Sequence, residues 1–128
     1  MIRKSDGTLF KVPLDQPSHF SQVNIAEHLI GGDCVTVIGK KDLVVIANRT
    51  PSTSSNSAFS LSSDDDWKTA KVSAVQQLGD VYPTTAVLRD STLYLVHSKL
   101  NELIAFPPET KAQLQVEATI RRIAHVSP

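Results

Sequence analysis

The chain of 128 residues has the length of a single domain, and its 13 Lys and Arg against 13 Asp and Glu give a formal net charge of +0. With no basic excess to neutralise phosphates or anionic lipid heads, the composition argues against nucleic acid and membranes as partners. The longest apolar run, Leu43 to Ala47, is far shorter than the roughly 20 residues of a membrane-spanning helix, Cys34 is the single cysteine, and no apolar leader begins the chain, so we expect a cytoplasmic protein.

The predicted secondary structure consists of strands, since the β-branched residues Val, Ile and Thr together account for 31 positions. Residues 51–57 are rich in serine and predict a polar loop. Residues 118–123 predict an outer or closing strand. In chain order, the other predicted strands are 7–12, 20–25, 34–38, 43–47, 58–61, 71–75, 84–88, 93–97, 103–106 and 114–118.

Two β-hairpins, at 34–47 and 84–97, follow one pattern. Shifting the first by 50 residues keeps polar and apolar positions aligned, so that Val37 corresponds to Val87 and Leu43 to Leu93. The second strand of each hairpin is almost continuously apolar, which is typical of strands that are buried on both faces between packed sheets.

Each hairpin is followed by two shorter and more polar strands, which gives four-stranded units about 40 to 50 residues apart, a spacing typical of β-propellers. We therefore predict an all-β fold, an incomplete half β-propeller of about two and a half blades. A partial blade takes residues 1–30, and blades take 31–79 and 80–128. Closed propellers have about four to eight blades, so we expect oligomerisation, most simply a homodimer, to complete the ring. The alternative is a truncated product of a larger gene.

Three parts of the sequence resemble a known family. They are Asp6–Asp15, Gly31–Cys34 with Leu43–Asn48, and Tyr82–Thr85 with Leu93–Ser98. They resemble the carboxy-terminal half of six-bladed propellers of the senescence-marker-protein, gluconolactonase and strictosidine-synthase-like superfamily. The resemblance implies a funnel-shaped fold that holds one divalent cation, calcium or zinc, and its best-known members hydrolyse sugar lactones.

The resemblance also implies a metal ligand. The family uses a Glu, an Asn and an Asp, and of these only the Asp, at the start of an inner strand, has a counterpart here, Asp33. Gly32 and Cys34 flank it in place of the family's Pro and Gly. A single carboxylate binds Ca²⁺ weakly, because about six to eight oxygen ligands are expected.

Three residues are candidates for facing a propeller channel. Asp33 is placed at the mouth of an inner strand, with a turn role after two glycines as the alternative. Thr84 has almost the same position in the next repeat, where ordinary packing is the alternative. His97 lies among apolar residues of the second strand, and its alternative is a core histidine with one ring nitrogen bonded to the backbone.

Two classes of function fit these patterns. The favoured one is a non-catalytic binding or assembly module built from a half β-propeller, because two of the three family ligands lack counterparts. Its expected partners are a second copy of the chain and a small-molecule ligand. The other is a metal-dependent lactone hydrolase whose site forms across the channel of a homodimer. An inactive fragment of a larger propeller gene is the third alternative, and no catalytic residue is assigned.

Overall fold

The computed structural model of the protein describes residues 1–50, 53–98, 100–105, 107–109 and 118–125. Within these ranges the predicted all-β class is confirmed, since strands predominate and form three antiparallel sheets. The described sheets do not close into a ring. No helix in the same ranges is long and apolar enough to cross a membrane.

The strands are numbered along the chain, and a single turn of 3₁₀ helix at Pro17–His19 lies between the second and third. The first sheet contains β1 (Ile2–Arg3), β2 (Thr8–Lys11) and β3 (Ser21–Gln22). The second contains β4 (Gly32–Val37), β5 (Asp42–Thr50), β6 (Thr53–Ser62) and β7 (Lys71–Gln77). The third contains β8 (Pro83–Arg89), β9 (Thr92–His97) and β10 (Thr119–His125), and helix α1 spans Leu100–Ala105.

Strand β5 is buried on both faces, as its sequence predicts. Leu43 and Val45 belong to the apolar core between the first and second sheets. Val44 and Ile46 alternate with them and belong to a second core, between the second and third sheets. The middle sheet is therefore covered on both sides, which requires side chains of both parities along β5 to be apolar.

Strand β9 differs from β5 although its sequence pattern is the same. Leu93 and Leu95 are buried in the core shared with the second sheet. Tyr94 and Val96 point to the opposite face and remain half-buried. In the described structure the prediction of burial on both faces is thus wrong for β9.

The two hairpins β4–β5 and β8–β9 share one register. Val37 pairs with Leu43, and Leu88 pairs with Leu93. The first strands therefore correspond with a shift of 51 residues and the second strands with a shift of 50, because the turn of the second hairpin is one residue shorter. The counterpart of Val37 is thus Leu88 rather than Val87, which corrects the alignment made from the sequence.

Three segments differ from the prediction. Residues 53–57, predicted as a loop, extend β6, where Ser57 pairs with Ala47 at the end of the hairpin. The predicted strand 103–106 is replaced in its described part by α1, whose Leu, Glu and Ala residues favour a helix. The predicted strand 114–118 lies, except for its last residue, outside the described residues. The strand predicted at 118–123 is confirmed as β10, which lies at the edge of the third sheet and pairs directly with β9, whereas its closing role stays a prediction.

The first strands of the three sheets are neighbours. β1 packs against β4, and β4 packs against β8. The connections between sheets, at 23–31 and 78–82, therefore meet near the same ends of these strands, next to residues Asp33 and Thr84.

Candidate functional sites

Asp33 lies at a β-bulge, the irregularity between the paired residues Gly32 and Cys34 at the start of β4. Its Oδ1 atom accepts a hydrogen bond from Lys4 Nζ at 3.1 Å, and its Oδ2 atom accepts one from Asn48 Nδ2 at 2.9 Å. The side chain of Asp33 is 29% exposed. Both carboxylate oxygens thus already have a partner within the chain, and the Lys4 ammonium supplies a positive charge beside them.

Asn48 is the most buried polar residue near Asp33, with an exposure of 0%. Its Nδ2 atom also donates to the Pro83 carbonyl at 2.9 Å, so that one amide joins the second sheet to the start of the third. Its Oδ1 atom is buried and has no hydrogen-bond partner among the described residues. Asn48 is therefore held through its donor while its acceptor is left unpaired, at a cost typical of a buried polar atom.

Gly31 brings these parts together. Its φ is +86°, and a Cβ built on it would lie 2.3 Å from the Asn48 carbonyl oxygen, so only glycine fits without a shift of backbone. Its amide donates to the Lys4 carbonyl at 3.0 Å, and its carbonyl accepts from the Asn48 amide at 2.9 Å. We call Lys4, Gly31, Asp33, Asn48 and Pro83 the polar junction, because they connect all three sheets.

The ammonium of Lys4 has a second contact. It lies 5.8 Å from the centre of the Tyr82 ring, within the range of a cation–π interaction. Tyr82 has a φ of +40°, which is rare for a residue with a side chain. The polar junction thus continues into the connection between β7 and β8.

The metal-binding potential of the polar junction depends on Asp33 alone. In the described part of the chain, no group of three or more His, Cys, Asp or Glu side chains could hold a metal ion. Ligation of calcium or zinc by Asp33 therefore stays a prediction that would need ligands from another source, and it would have to displace Lys4.

Thr84 has the position that the repeat assigns to it. It lies at the bulge between the paired residues Pro83 and Thr85, as Asp33 does in the preceding hairpin. Its Oγ1 donates to the Val96 carbonyl at 3.3 Å. The contact is neutral and internal to the third sheet, so the shared bulge carries a charge in one copy only.

His97 is 6% exposed and lies on the face of β9 that also carries Leu93 and Leu95. Neither ring nitrogen makes a hydrogen bond of ordinary geometry among the described residues, although the Val81 backbone interacts with the ring. Burial lowers the pKa of His97 below its ordinary value, and the charge of Arg121 adds to this, while the Val81 backbone partly offsets both. The ring is therefore neutral at pH 7, with one donor and one acceptor nitrogen.

A cavity of about 280 Å³ adjoins His97. It lies where the connection between β7 and β8, helix α1 and the start of β10 meet. Its lining includes Asp80, Tyr82, His97, Asn101, Glu102 and Arg121. Tyr82 thus lies between this cavity and the polar junction.

The connection between β6 and β7 forms a tight turn. Asp65 accepts hydrogen bonds from the amides of Lys68 and Thr69 and from the hydroxyl of Ser63. The bonds from Thr69 make the largest contribution to lowering the pKa of Asp65 to about 2. The Trp67 indole donates to the Lys40 carbonyl, and its ring packs against the first core. Its neighbours Asp64 and Asp66 pair with Lys41 and Lys11, so each of the three consecutive carboxylates in this turn has a partner within the chain.

Sequence reasoning placed Asp33, Thr84 and His97 but missed their partners. The sequence did contain a signal for Asn48. A polar residue directly after a predicted strand that is buried on both faces needs a hydrogen-bond partner. Lys4 lies 29 residues from Asp33 and offered no comparable signal. Comparison of the chain with protein-family models, curated proteins and solved structures finds no match.

Proposed function

We propose that the chain is a non-catalytic assembly module, a half β-propeller whose ring is completed by a second copy of itself. The observation that carries this proposal is the open face of the third sheet. The shared register of the two hairpins makes this face equivalent to one face of the second sheet. In the second sheet, that face is covered by the third sheet.

The covered face is made by Cys34, Thr36, Val44 and Ile46 of the second sheet. Val44, Ile46 and Cys34 pack in the core shared with the third sheet. The Thr36 hydroxyl donates to the Ala86 carbonyl at 2.9 Å. A neighbouring sheet therefore satisfies both the apolar and the polar groups of this face.

The corresponding residues of the third sheet have no neighbouring sheet against their side in the described structure, although the Thr85 hydroxyl donates to Cys34 Sγ of the second sheet at 3.4 Å. The shared register assigns Thr85, Val87, Tyr94 and Val96 to the equivalent positions. Val87 is 62% exposed, and Ile120 of β10, which lies on the same side, is 70% exposed. We call these five residues the outer face, and together they line an apolar groove of about 640 Å³.

A second copy is the simplest occupant of the outer face. The sheets already stack face to face within one chain, so the same mode of packing, continued between chains, requires no new type of contact. The formal net charge of +0 means that two copies do not repel each other. Stacking the outer face on the first sheet of a partner, twice, gives a closed ring of about five to six blades.

Sedimentation of the full chain over a range of concentrations tests this proposal. We expect a dimer that dissociates on dilution, and we expect Val87→Lys to abolish it by burying a charge at the interface. Val75→Lys is the matched control, because Val75 is 50% exposed on β7 of the second sheet, away from the outer face. A stable monomer at all concentrations, or equal loss of the dimer in both variants, would contradict the proposal.

The alternative proposal is a metal-dependent lactone hydrolase formed across the dimer channel. It is supported by the bulge that places Asp33 at the start of a first strand. It ranks lower, because the Asp33 carboxylate is already bonded to Lys4 and Asn48. Metal-dependent hydrolysis of sugar lactones that disappears in Asp33→Asn would make it the better of the two.

A further inference from the structure

The cavity beside His97 is built from one chain and is separate from the outer face. His97 and Arg121 share one side of the third sheet, because their cross-strand partners, Thr119 and Leu95, alternate with Val96. This side faces the second sheet, whereas Ile120 and Arg122 belong to the opposite side. A ligand in the cavity would thus bind whether or not the chain dimerises.

The inner end of the cavity has unpaired hydrogen-bonding groups. His97 is only 6% exposed, and its ring nitrogens make no hydrogen bond of ordinary geometry in the described structure, although the Val81 backbone interacts with the ring. The Oδ1 atom of Asn101, on α1, is also buried and has no hydrogen-bond partner within the described ranges. A neutral imidazole and an amide oxygen offer one donor and two acceptors, and leaving them unpaired costs free energy that a bound polar group would recover.

The outer part of the cavity carries charges of both signs. Arg121 contributes a guanidinium, and Asp80 and Glu102 contribute carboxylates. All three side chains belong to exposed residues, and none of the ion pairs found in the described residues joins any of them. Opposite charges that line one cavity without pairing together are suited to a ligand that itself carries both charges.

We propose that this cavity binds a free α-amino acid with a polar side chain. Its carboxylate pairs with Arg121, its ammonium group pairs with Asp80 or Glu102, and its side chain reaches His97 and Asn101. A planar guanidinium binds a carboxylate through two parallel hydrogen bonds, which fixes the orientation of the ligand. The volume of about 280 Å³ is near the lower end of small-molecule sites and admits a ligand of this size.

Other ligand classes match the lining less well. A phosphate or a dicarboxylate would be repelled by the two carboxylates of Asp80 and Glu102, and only one guanidinium would attract it. A neutral sugar would leave the charges of Arg121 and Glu102 without a partner. A metal ion lacks a sufficient group of ligands in the described residues.

The test measures thermal stabilisation and calorimetric binding of the full chain with each of the common amino acids at millimolar concentration. Glucose, inorganic phosphate and, for each amino acid that binds, the matching amine and the matching acid serve as probes of the other classes. We expect stabilisation by mass action from one or a few polar amino acids only. Loss of either the carboxylate or the ammonium group should weaken binding by about tenfold or more.

Variants of two adjacent arginines provide the control. Arg121→Gln should raise the Kd about tenfold or more, whereas Arg122→Gln, on the opposite side of the same strand, should leave it unchanged. His97→Leu should abolish binding without lowering the melting temperature of the free protein, since it removes two buried nitrogens that make no hydrogen bond of ordinary geometry in the described structure. A purely structural His97 would instead lower the melting temperature.

The proposal is overturned if no amino acid binds, if the amine, the acid, glucose or phosphate binds as well as the amino acid, or if Arg121→Gln and Arg122→Gln behave alike. Because sedimentation monitors the dimer and calorimetry monitors the cavity, failure of this proposal is distinguishable from failure of the assembly proposal.

Discussion

The hairpins β4–β5 and β8–β9 have the same register and the same bulge, yet their surroundings differ. The first has a sheet on each side, and Ile46 at its centre is 0% exposed. Among the described residues the second has a sheet on one side, and Val96, the counterpart of Ile46, is half-buried. Local pattern thus determines the pairing of each hairpin, whereas burial depends on whether another sheet lies against it. The experiments below compare equivalent positions of the two hairpins.

The largest difference should come from shortening the side chains of Ile46 and Val96. Ile46→Ala should reduce the free energy of unfolding by about 2–5 kcal/mol, because it leaves a cavity in a closed core. Val96→Ala should cost less than about 1 kcal/mol in the monomer. Chemical denaturation at several protein concentrations measures both. If a second copy covers the outer face, the cost of Val96→Ala should grow with concentration, and a cost equal to that of Ile46→Ala in the isolated monomer would break the comparison.

A smaller difference is expected at Asn48 and Ser98, the equivalent residues that follow Ala47 and His97 in the two hairpins. Asn48→Ala removes the amide that binds Asp33 and Pro83, and should cost about 1–3 kcal/mol. The Ser98 hydroxyl is buried without a partner in the described structure, so Ser98→Ala should be neutral or slightly stabilising. Thermal unfolding of the two variants, side by side, checks this, and a loss of stability in Ser98→Ala as large as in Asn48→Ala would contradict it.

The bulge residues Asp33 and Thr84 provide a matched pair of variants for testing metal binding. Asp33→Asn keeps the shape but removes the charge that pairs with Lys4, an effect of about 0–1 kcal/mol for a partly exposed ion pair. We expect Ca²⁺ and Zn²⁺ to shift the melting temperature of the wild type little, and the Thr84→Ser control to behave like the wild type. Tight metal binding that disappears only in Asp33→Asn would favour the hydrolase proposal.

The smallest expected effect is a pH dependence of the free energy of unfolding, and it comes from His97 of the third sheet. The pKa of His97 is lowered in the folded state, so the unfolded chain binds the proton more readily. Stability should be constant above the ordinary pKa of 6.5 and should decrease as the pH falls from 6.5 towards the folded pKa. Burial and the charge of Arg121 both lower the pKa of His97. The other titratable residues that line the cavity beside it are Asp80, Glu102 and Tyr82. Denaturation midpoints over this range should decline less in His97→Leu, and parallel profiles would contradict the assignment to His97.

The sequence predicts the fold well in those segments whose residue pattern fits a strand but not a helix. The apolar strands of both hairpins were predicted because β-branched residues alternate with polar turns over enough positions to exclude a helix. Leu103 and its apolar neighbours were misread as a strand, since a run of four apolar residues fits either structure, and the preceding Leu100 and Glu102 favour the helix. The serines of β6 were misread as a loop, because their pairing with β5 comes from the partner strand rather than from their own propensity.

The candidate sites were less predictable for a physical reason. The position of Asp33 follows from the repeat, but its contacts to Lys4 and Asn48 depend on how the sheets stack. The sequence predicted that His97 could be a core residue. It did not indicate where α1 and β10 lie, and these two elements form the cavity beside the His97 ring. The residues of the outer face can be assigned only from the observed register of the two hairpins. A constant shift of 50 residues does not give this register, because the two turns differ by one residue.

The shared bulge has a consequence for the shape of the stack. A bulge bends its strand and increases the local twist, and here it recurs at Asp33 and at Thr84, in strands that are neighbours. When successive units each bend at the same position, their small rotations add in one direction instead of cancelling. The ring proposed above would require a repeated bend of this kind, and the backbone would supply it independently of which side chains fill the space between the sheets.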